Sequence, residues 1–223
     1  MYKTSSVIRS FVRREGRFTK GQRTAIKNYW SVYGIEVTDK PLDLQKVFAS
    51  VQPIVLDIGF GNGEALVSIA QQLPHLNFLG VEVYRPGIGY LLRKIAELEL
   101  NNIRIINMDA VNLLQEHITT NSFISVLIWF PDPWPKKRHH KRQLIQTEFV
   151  QLVASKLTSK GELNVATDWQ PYANHIQETI QQCNLFEKAS THNVIEQRPQ
   201  TKFERRGKAL GHQVFTQVYK KIS

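Results

Sequence analysis

Five acidic residues of this 223-residue chain stand where short apolar runs end. Asp57 opens the stretch Asp57-Ile-Gly-Phe-Gly-Asn-Gly63, Glu82 lies near the end of Asn77–Val83, and Asp109 follows Ile103–Met108. Asp132 sits between two prolines in Phe130-Pro-Asp-Pro-Trp134, and Asp168 lies in Thr167-Asp-Trp169. An ionised carboxylate is purely an acceptor, so it can hold an ammonium, take the hydroxyls of a diol, or receive an exocyclic amine. The glycines at 59, 61 and 63 allow a tight turn and close approach of a ligand to the backbone. Gly59 and Gly61 match the first two glycines of the dinucleotide fingerprint, but Glu64 holds the third position and would repel a pyrophosphate at a helix N-terminus. Any one of these acids reads as readily as a helix cap. Three after consecutive strands call for a shared ligand.

The Asp132 segment adds a different chemistry. Its prolines fix the backbone and remove two donors, presenting the carboxylate in a stiff loop. Trp134 offers a face for base stacking, worth about 1–3 kcal/mol. Two residues later begins Lys136-Lys-Arg-His-His-Lys-Arg142, a run made only of bases and histidines.

These residues need a scaffold, and the hydrophobic pattern supplies one. Strands are expected at Gln52–Ile58, Asn77–Val83, Ile103–Met108, Ile124–Phe130 and Gly161–Ala166, with the fourth central because it is the most apolar. Helical stripes fall at Gly63–Leu73, Gly87–Leu98, from Ala110, at Gln143–Leu157 and at Tyr172–Cys183, and an earlier helix spans Lys20–Tyr33. Met108 and Ile58 read as core. A polar loop is expected from Thr191 to Gly211, then a period-2 strand at Gln213–Tyr219, taken as antiparallel. The fold class is α/β, a doubly wound and mostly parallel sheet. Residues 51–223 form its domain, and residues 1–50 a basic N-terminal extension, partly mobile. In such sheets ligands lie beyond the carboxyl ends of the strands, where the five acids stand.

Charge narrows the partner. Lys and Arg total 29 against 19 Asp and Glu, for a net charge of +10. The excess clusters at Lys3–Lys27, Lys136–Arg142 and Arg198–Lys208, which points to a polyanion such as nucleic acid. For the extension it predicts a steep salt dependence of binding. No apolar run nears the roughly 20 residues of a membrane span. The basic N-terminus lacks an apolar stretch of signal-peptide length, and the lone Cys183 fits a reducing compartment, so a cytoplasmic location is expected. No Cys/His spacing suits a metal.

An acid followed by G-x-G-x-G resembles the first motif of the Rossmann-like methyltransferases. S-adenosylmethionine carries a sulfonium, an ammonium and a carboxylate but no phosphate. Asp57 would hold its ammonium beside Gly59, Gly61 and Gly63, Glu82 its ribose hydroxyls, and Asp109 its adenine amine. Residue types and spacing thus reach a methyltransferase acting on nucleic acid. A small-molecule methyltransferase, a nicotinamide oxidoreductase and a non-catalytic RNA-binding module remain as alternatives.

The whole chain from about residue 8 resembles the bacterial tRNA (guanine-N7-)-methyltransferases. The resemblance rests on IRSFVRREGRFTKGQ at 8–22, DIGFGNG at 57–63, GVEV at 80–83 and NMDAV at 107–111. It continues in FPDPWPKKRHHKR at 130–142, ATDWQPYA at 166–173 and TKFERRG at 201–207. Many relatives have Glu where this chain has Asp57. The resemblance implies S-adenosylmethionine as cofactor, S-adenosylhomocysteine as product, no metal, and tRNA as substrate, with guanine 46 of the variable loop as the usual target. It implies that Asp57, Glu82 and Asp109 contact the cofactor, joined by Asp132 as the central active-site carboxylate. Lys136, Asp168, Thr201, Lys202, Phe203 and Glu204 would bind the substrate. Arg138, His139, His140, Lys141, Arg142 and Gln143 would touch RNA.

Guanine N7 has a lone pair and no proton, so its methylation needs no general base. Asp132 and Asp168 are expected to accept from the N1–H and N2–H₂ edge of guanine, opposing the positive charge that develops and rejecting adenine. Glu204 either completes that clamp or pairs with Arg205 or Arg206.

Overall fold

The computed structural model describes residues 18–189, 199–209, 211 and 213–222. The first helix, α1 (Lys20–Tyr33), starts at a capping box in which Thr19 and Gln22 exchange bonds, and it stops at Gly34. A short α2 (Leu44–Phe48) follows. Alternation then begins with β1 (Ile54–Ile58), α3 (Glu64–Gln72), β2 (Asn77–Val81), α4 (Arg85–Glu97), β3 (Ile103–Ile106), α5 (Ala110–Glu116) and β4 (Phe123–Trp129). After a 3-10 turn at Lys137–Arg142 come α6 (Thr147–Lys156), β5 (Leu157–Thr167), α7 (Gln170–Cys183), β6 (Phe186–Lys188), α8 (Lys202–Ala209) and β7 (Phe215–Lys221).

The seven strands form one sheet in the order β3-β2-β1-β4-β5-β7-β6, with β4 in the middle as its apolar sequence requires. The first five strands run parallel, and β7 enters antiparallel between β5 and β6. β1 and β2 are buried at every position, as strands covered on both faces must be. One core cluster lies under α5, α6 and α7, with Leu114, Val153 and Ile176. The other lies under α1, α3 and α4, with Ala25, Leu66 and Leu91. The chain winds outward from β1 to β3, then returns to place β4 on the other side of β1. That reversal puts the turn after β1 and the loop after β4 side by side.

Residues 18–50 pack onto this sheet. Ala25 of α1 and Leu44 and Phe48 of α2 are buried in the two clusters, and Gly34 bridges to Ile105 at the sheet edge. Residues 1–17 of the N-terminal extension lie outside the described residues.

Three expectations are corrected. The polar stretch read as a loop from Thr191 to Gly211 contains α8, capped by the Thr201 hydroxyl, which accepts from the Glu204 N–H at 3.1 Å. The helix read from Gln143 starts at Thr147, because the preceding residues brace a loop rather than coil. Met108 is only half-buried: it lines a cavity of about 350 Å³ with Trp30, Glu36, Arg85 and Asn107 at the β3 edge.

One buried hydroxyl fixes how α7 meets the start of α6. Tyr172 is fully buried, and its Oη accepts from the Ile145 N–H at 3.2 Å. Tyr172→Phe leaves that N–H without its acceptor and is expected to cost about 1–3 kcal/mol in urea denaturation, with an unchanged m-value. A change within about 0.5 kcal/mol, the size seen at surface positions, contradicts the role.

Candidate active site

The turn after β1 is built by its glycines. Gly59, Gly61 and Gly63 have φ of +75°, +61° and +74°, a region that side-chain-bearing residues enter only with strain. A Cβ at Gly87, in the first turn of α4, would fall 2.0 Å from the Gly61 carbonyl oxygen. The glycine pair of Arg85-Pro-Gly-Ile-Gly89, costly in a helix interior, is the sequence signal for this contact.

Glu82, just past β2, holds the turn in place. Its Oε2 accepts from the Gly61 N–H at 2.9 Å, while Oε1 accepts from Val83 and Tyr84 at 2.7 and 2.9 Å. Asn107 donates from its amide to the Glu82 carbonyl at 2.7 Å, which ties the end of β3 to the same point. Three of about four acceptor sites on the Glu82 carboxylate are thereby used by backbone. Burial pushes its pKa up against these bonds, and the charge of Asp132 adds to the rise.

Asp57, in the middle of the sheet, is 3% exposed. Burial first, and the neighbouring Glu82 charge second, push its pKa up to about 8. Asp109 caps α5, its Oδ1 accepting from the Asn112 N–H at 3.0 Å. The charge of Glu82 thus acts on Asp57, and that of Asp132 on Glu82, while Asp109 stands one strand further out.

The loop after β4 is held in an unusual backbone conformation. Phe130 and Trp134 have φ of +56° and +44°, and each precedes a proline. Such residues cost on the order of 1–3 kcal/mol and persist only when their surroundings over-determine them. Here the Phe130 N–H donates to the Ala166 carbonyl at 2.7 Å. The Gln143 side chain donates to the Pro133 carbonyl at 2.8 Å, and the Arg142 guanidinium lies 4.9 Å from the Trp134 ring centroid. His139 meets the same ring edge-on at 5.7 Å. The basic run thus folds back onto the loop instead of trailing away. One side of Trp134, read from sequence as a stacking face, carries Arg142. Gln143, read with the RNA-contacting run, is 5% exposed and braces the loop from inside.

Asp132, Lys136, Arg138, His140, Lys141 and Arg142 are exposed, and His139 is half-buried. Loss of solvent and the cations Arg138, Arg142 and Lys136 hold His139 below its ordinary pKa. Asp168 is half-buried at the end of β5, and Trp169 beside it is 40% exposed. Thr201 caps α8 and Glu204 is 3% exposed in its first turn. The side chains of Lys202 and Phe203 lie outside the described residues. Arg205 pairs with Glu64 of α3, Nη2 to Oε2 at 2.7 Å. Glu64 also accepts from the Asn62 amide at 2.9 Å and the Tyr90 hydroxyl at 3.4 Å. Burial raises its pKa, but Arg205, Asn62 and Tyr90 together outweigh that and hold it low. Sequence had no signal for this pair. Among the described residues no group of three or more His, Cys, Asp or Glu side chains is arranged to hold a metal ion.

The residues fit a cationic, phosphate-free ligand. The glycine turn admits a close approach, and the buried acids beside it are raised in pKa, a penalty that a positive group relieves. A phosphate on the α3 N-terminus would face Glu64.

Comparison with known proteins agrees. Residues 51–217 match the family described as "Putative methyltransferase". The fold resembles the crystal structure of the 16S rRNA methyltransferase KamB, with a TM-score of 0.61, 14% identity, and coverage of 86% of this chain and 99% of that one. An rRNA methylase from Streptococcus thermophilus gives a TM-score of 0.54 at 14% identity, covering 84% of this chain and 100% of that one. Fold and site together define a Rossmann-like, S-adenosylmethionine-dependent methyltransferase.

Two relatives carry the assignment further. The tRNA (guanine-N(7)-)-methyltransferase of Pseudoalteromonas translucida (strain TAC 125) is 46% identical over 218 residues, covering 96% of this chain and 90% of its own. That of Serratia proteamaculans (strain 568) is also 46% identical over 218 residues, covering 96% and 91%. The chain belongs to the tRNA (guanine-N(7)-)-methyltransferase family.

The buried acid sets a pH dependence with a definite sign. Asp57 keeps its proton up to about pH 8 in the fold, against 3.8 for an ordinary aspartate. Between those values the native state binds more protons than the unfolded state, so this contribution to stability falls as pH rises from about 4 to about 8. Asp57→Asn removes that fall. Urea midpoints at pH 5 and pH 8 are expected to decline more in the wild type than in the variant; equal declines contradict the assignment.

Proposed function

We infer that this protein transfers the methyl group of S-adenosylmethionine to N7 of guanine in tRNA, giving 7-methylguanosine and S-adenosylhomocysteine. The observation that carries the reading is near-full-length similarity, at 46% identity, to proteins named for that reaction. The acids at the strand ends support it independently.

When bound, S-adenosylmethionine supplies a methyl on a sulfonium, which the N7 lone pair takes without loss of a proton. Asp57 would hold the ammonium as a carboxylate, its proton released to solvent, and Glu82, already rigid on its backbone donors, would offer its remaining capacity to the ribose. Asp109 receives the adenine amine alongside its capping bond. Asp132 and Asp168, from neighbouring strands, accept from the Watson–Crick edge of guanine and oppose the charge left by methylation. Alignment of the two reactants supplies the larger part of the rate, for which effective molarity can contribute roughly 7–11 kcal/mol. Thr201, Lys202, Phe203 and Glu204 would bind the substrate together with Lys136. The cations Arg138, Lys141 and Arg142, with His139 and His140, bind phosphates, and Gln143 acts through the loop it braces. In this reading residues 51–223 carry catalysis, the basic residues of 1–50 add phosphate contacts, and the protein works in the cytoplasm on tRNA.

Purified protein, labelled-methyl S-adenosylmethionine and tRNA lacking 7-methylguanosine, followed by nucleoside mass spectrometry, test the reading. Label is expected in 7-methylguanosine, and Asp132→Asn should lower turnover roughly 100-fold or more. Label in a different nucleoside, or near-normal turnover by the variant, contradicts it.

A further inference from the structure

We propose that Arg205 is a positioning residue that couples the cofactor site to the tRNA site through its ion pair with Glu64. The inference rests on the methyltransferase reading and adds to it a physical link between the two substrates.

The two ends of the link belong to different sites. Glu64 follows directly on Gly63, and the Asn62 amide that holds it at 2.9 Å lies between two glycines of the turn. A ligand lying along Gly59–Gly63 therefore constrains Asn62 and Glu64 directly. Arg205 stands in α8 one residue after Glu204, and its backbone N–H donates to the Thr201 carbonyl at 3.0 Å. Its Nη1 donates to the Gln200 carbonyl at 3.0 Å, so the guanidinium grips the segment that leads into α8. Nη2 reaches across 141 positions of sequence to Glu64 at 2.7 Å.

The geometry of the pair suits coupling better than stability. Both side chains keep contact with solvent, 52% for Arg205 and 33% for Glu64, so the contact adds little to folding. It does join the one turn that the cofactor must touch to the one helix start that carries Thr201–Glu204. Fixing either end lowers the cost of ordering the other. Such a link is reciprocal: cofactor tightens tRNA binding by the same factor by which tRNA tightens cofactor.

The test uses the full chain, S-adenosylhomocysteine and an unmodified tRNA transcript. Binding of the transcript is measured with and without saturating S-adenosylhomocysteine, for the wild type, Glu64→Gln, Arg205→Gln and Arg205→Lys. The wild type should bind the transcript roughly two- to five-fold more tightly with S-adenosylhomocysteine, the range an exposed ion pair can supply. Glu64→Gln and Arg205→Gln, changes on opposite ends of the pair, should each lose that difference, while Arg205→Lys keeps part of it. Loss of stability alone does not remove coupling, so thermal midpoints measured alongside separate the two effects. Wild-type coupling that survives in both Gln variants, or a wild type without coupling, overturns the proposal. Failure of the wild type to bind S-adenosylhomocysteine at all overturns the methyltransferase reading, and the coupling with it.

Discussion

The carboxylate of Glu82 is the contact on which the site depends. It accepts three backbone N–H groups from two different turns, and its own carbonyl is held by Asn107 from a third strand. An ionised acceptor bonded to several backbone donors forms strong and directional contacts. Without it, three successive left-handed glycines would have little to choose one arrangement over another. With it, the turn after β1 is fixed against the end of β2, and Gly87 of α4 closes the third side.

That arrangement concentrates carboxyl groups where the sheet order reverses. Asp57 is buried beside Glu82, and Asp132 comes from β4 on the opposite flank of β1. The charge of Glu82 raises the pKa of Asp57, and that of Asp132 raises the pKa of Glu82, so ionising all three together is unfavourable. A donor-rich cation relieves the penalty. Outside this centre the charge changes sign, with the basic run folded onto the Asp132 loop through Trp134. Basic side chains and a carboxylate thus lie within one short stretch of chain.

Much of this was legible because it is local. The apolar runs read at Gln52–Ile58, Asn77–Val83, Ile103–Met108 and Ile124–Phe130 are bounded by turn residues, so pattern alone placed β1 to β4 to within two residues at each end. α1 was read at its observed bounds, Lys20–Tyr33, while its Thr19 cap was not. α8 was read as loop because its apolar content is too low for a stripe, although Thr201-x-x-Glu204 is a capping-box pattern that announces a helix start. β6 has three residues, too few for a period. The left-handed Phe130 and Trp134 run against local preference, and only their tertiary neighbours make them tenable. The Glu64–Arg205 pair and the Gln143–Pro133 brace join residues by folding alone, so no window along the chain contains their signal.

Glu82→Gln tests the central claim most directly, through calorimetric binding of S-adenosylhomocysteine. Glutamine keeps the size and shape but replaces one acceptor oxygen with a donor, leaving the Gly61 N–H or the Val83 and Tyr84 N–H groups facing an amide hydrogen. A buried donor deprived of its acceptor costs about 1–3 kcal/mol, so affinity should fall by roughly five-fold or more. Affinity unchanged from the wild type, in a variant that folds normally, contradicts the account of how the cofactor site is held together.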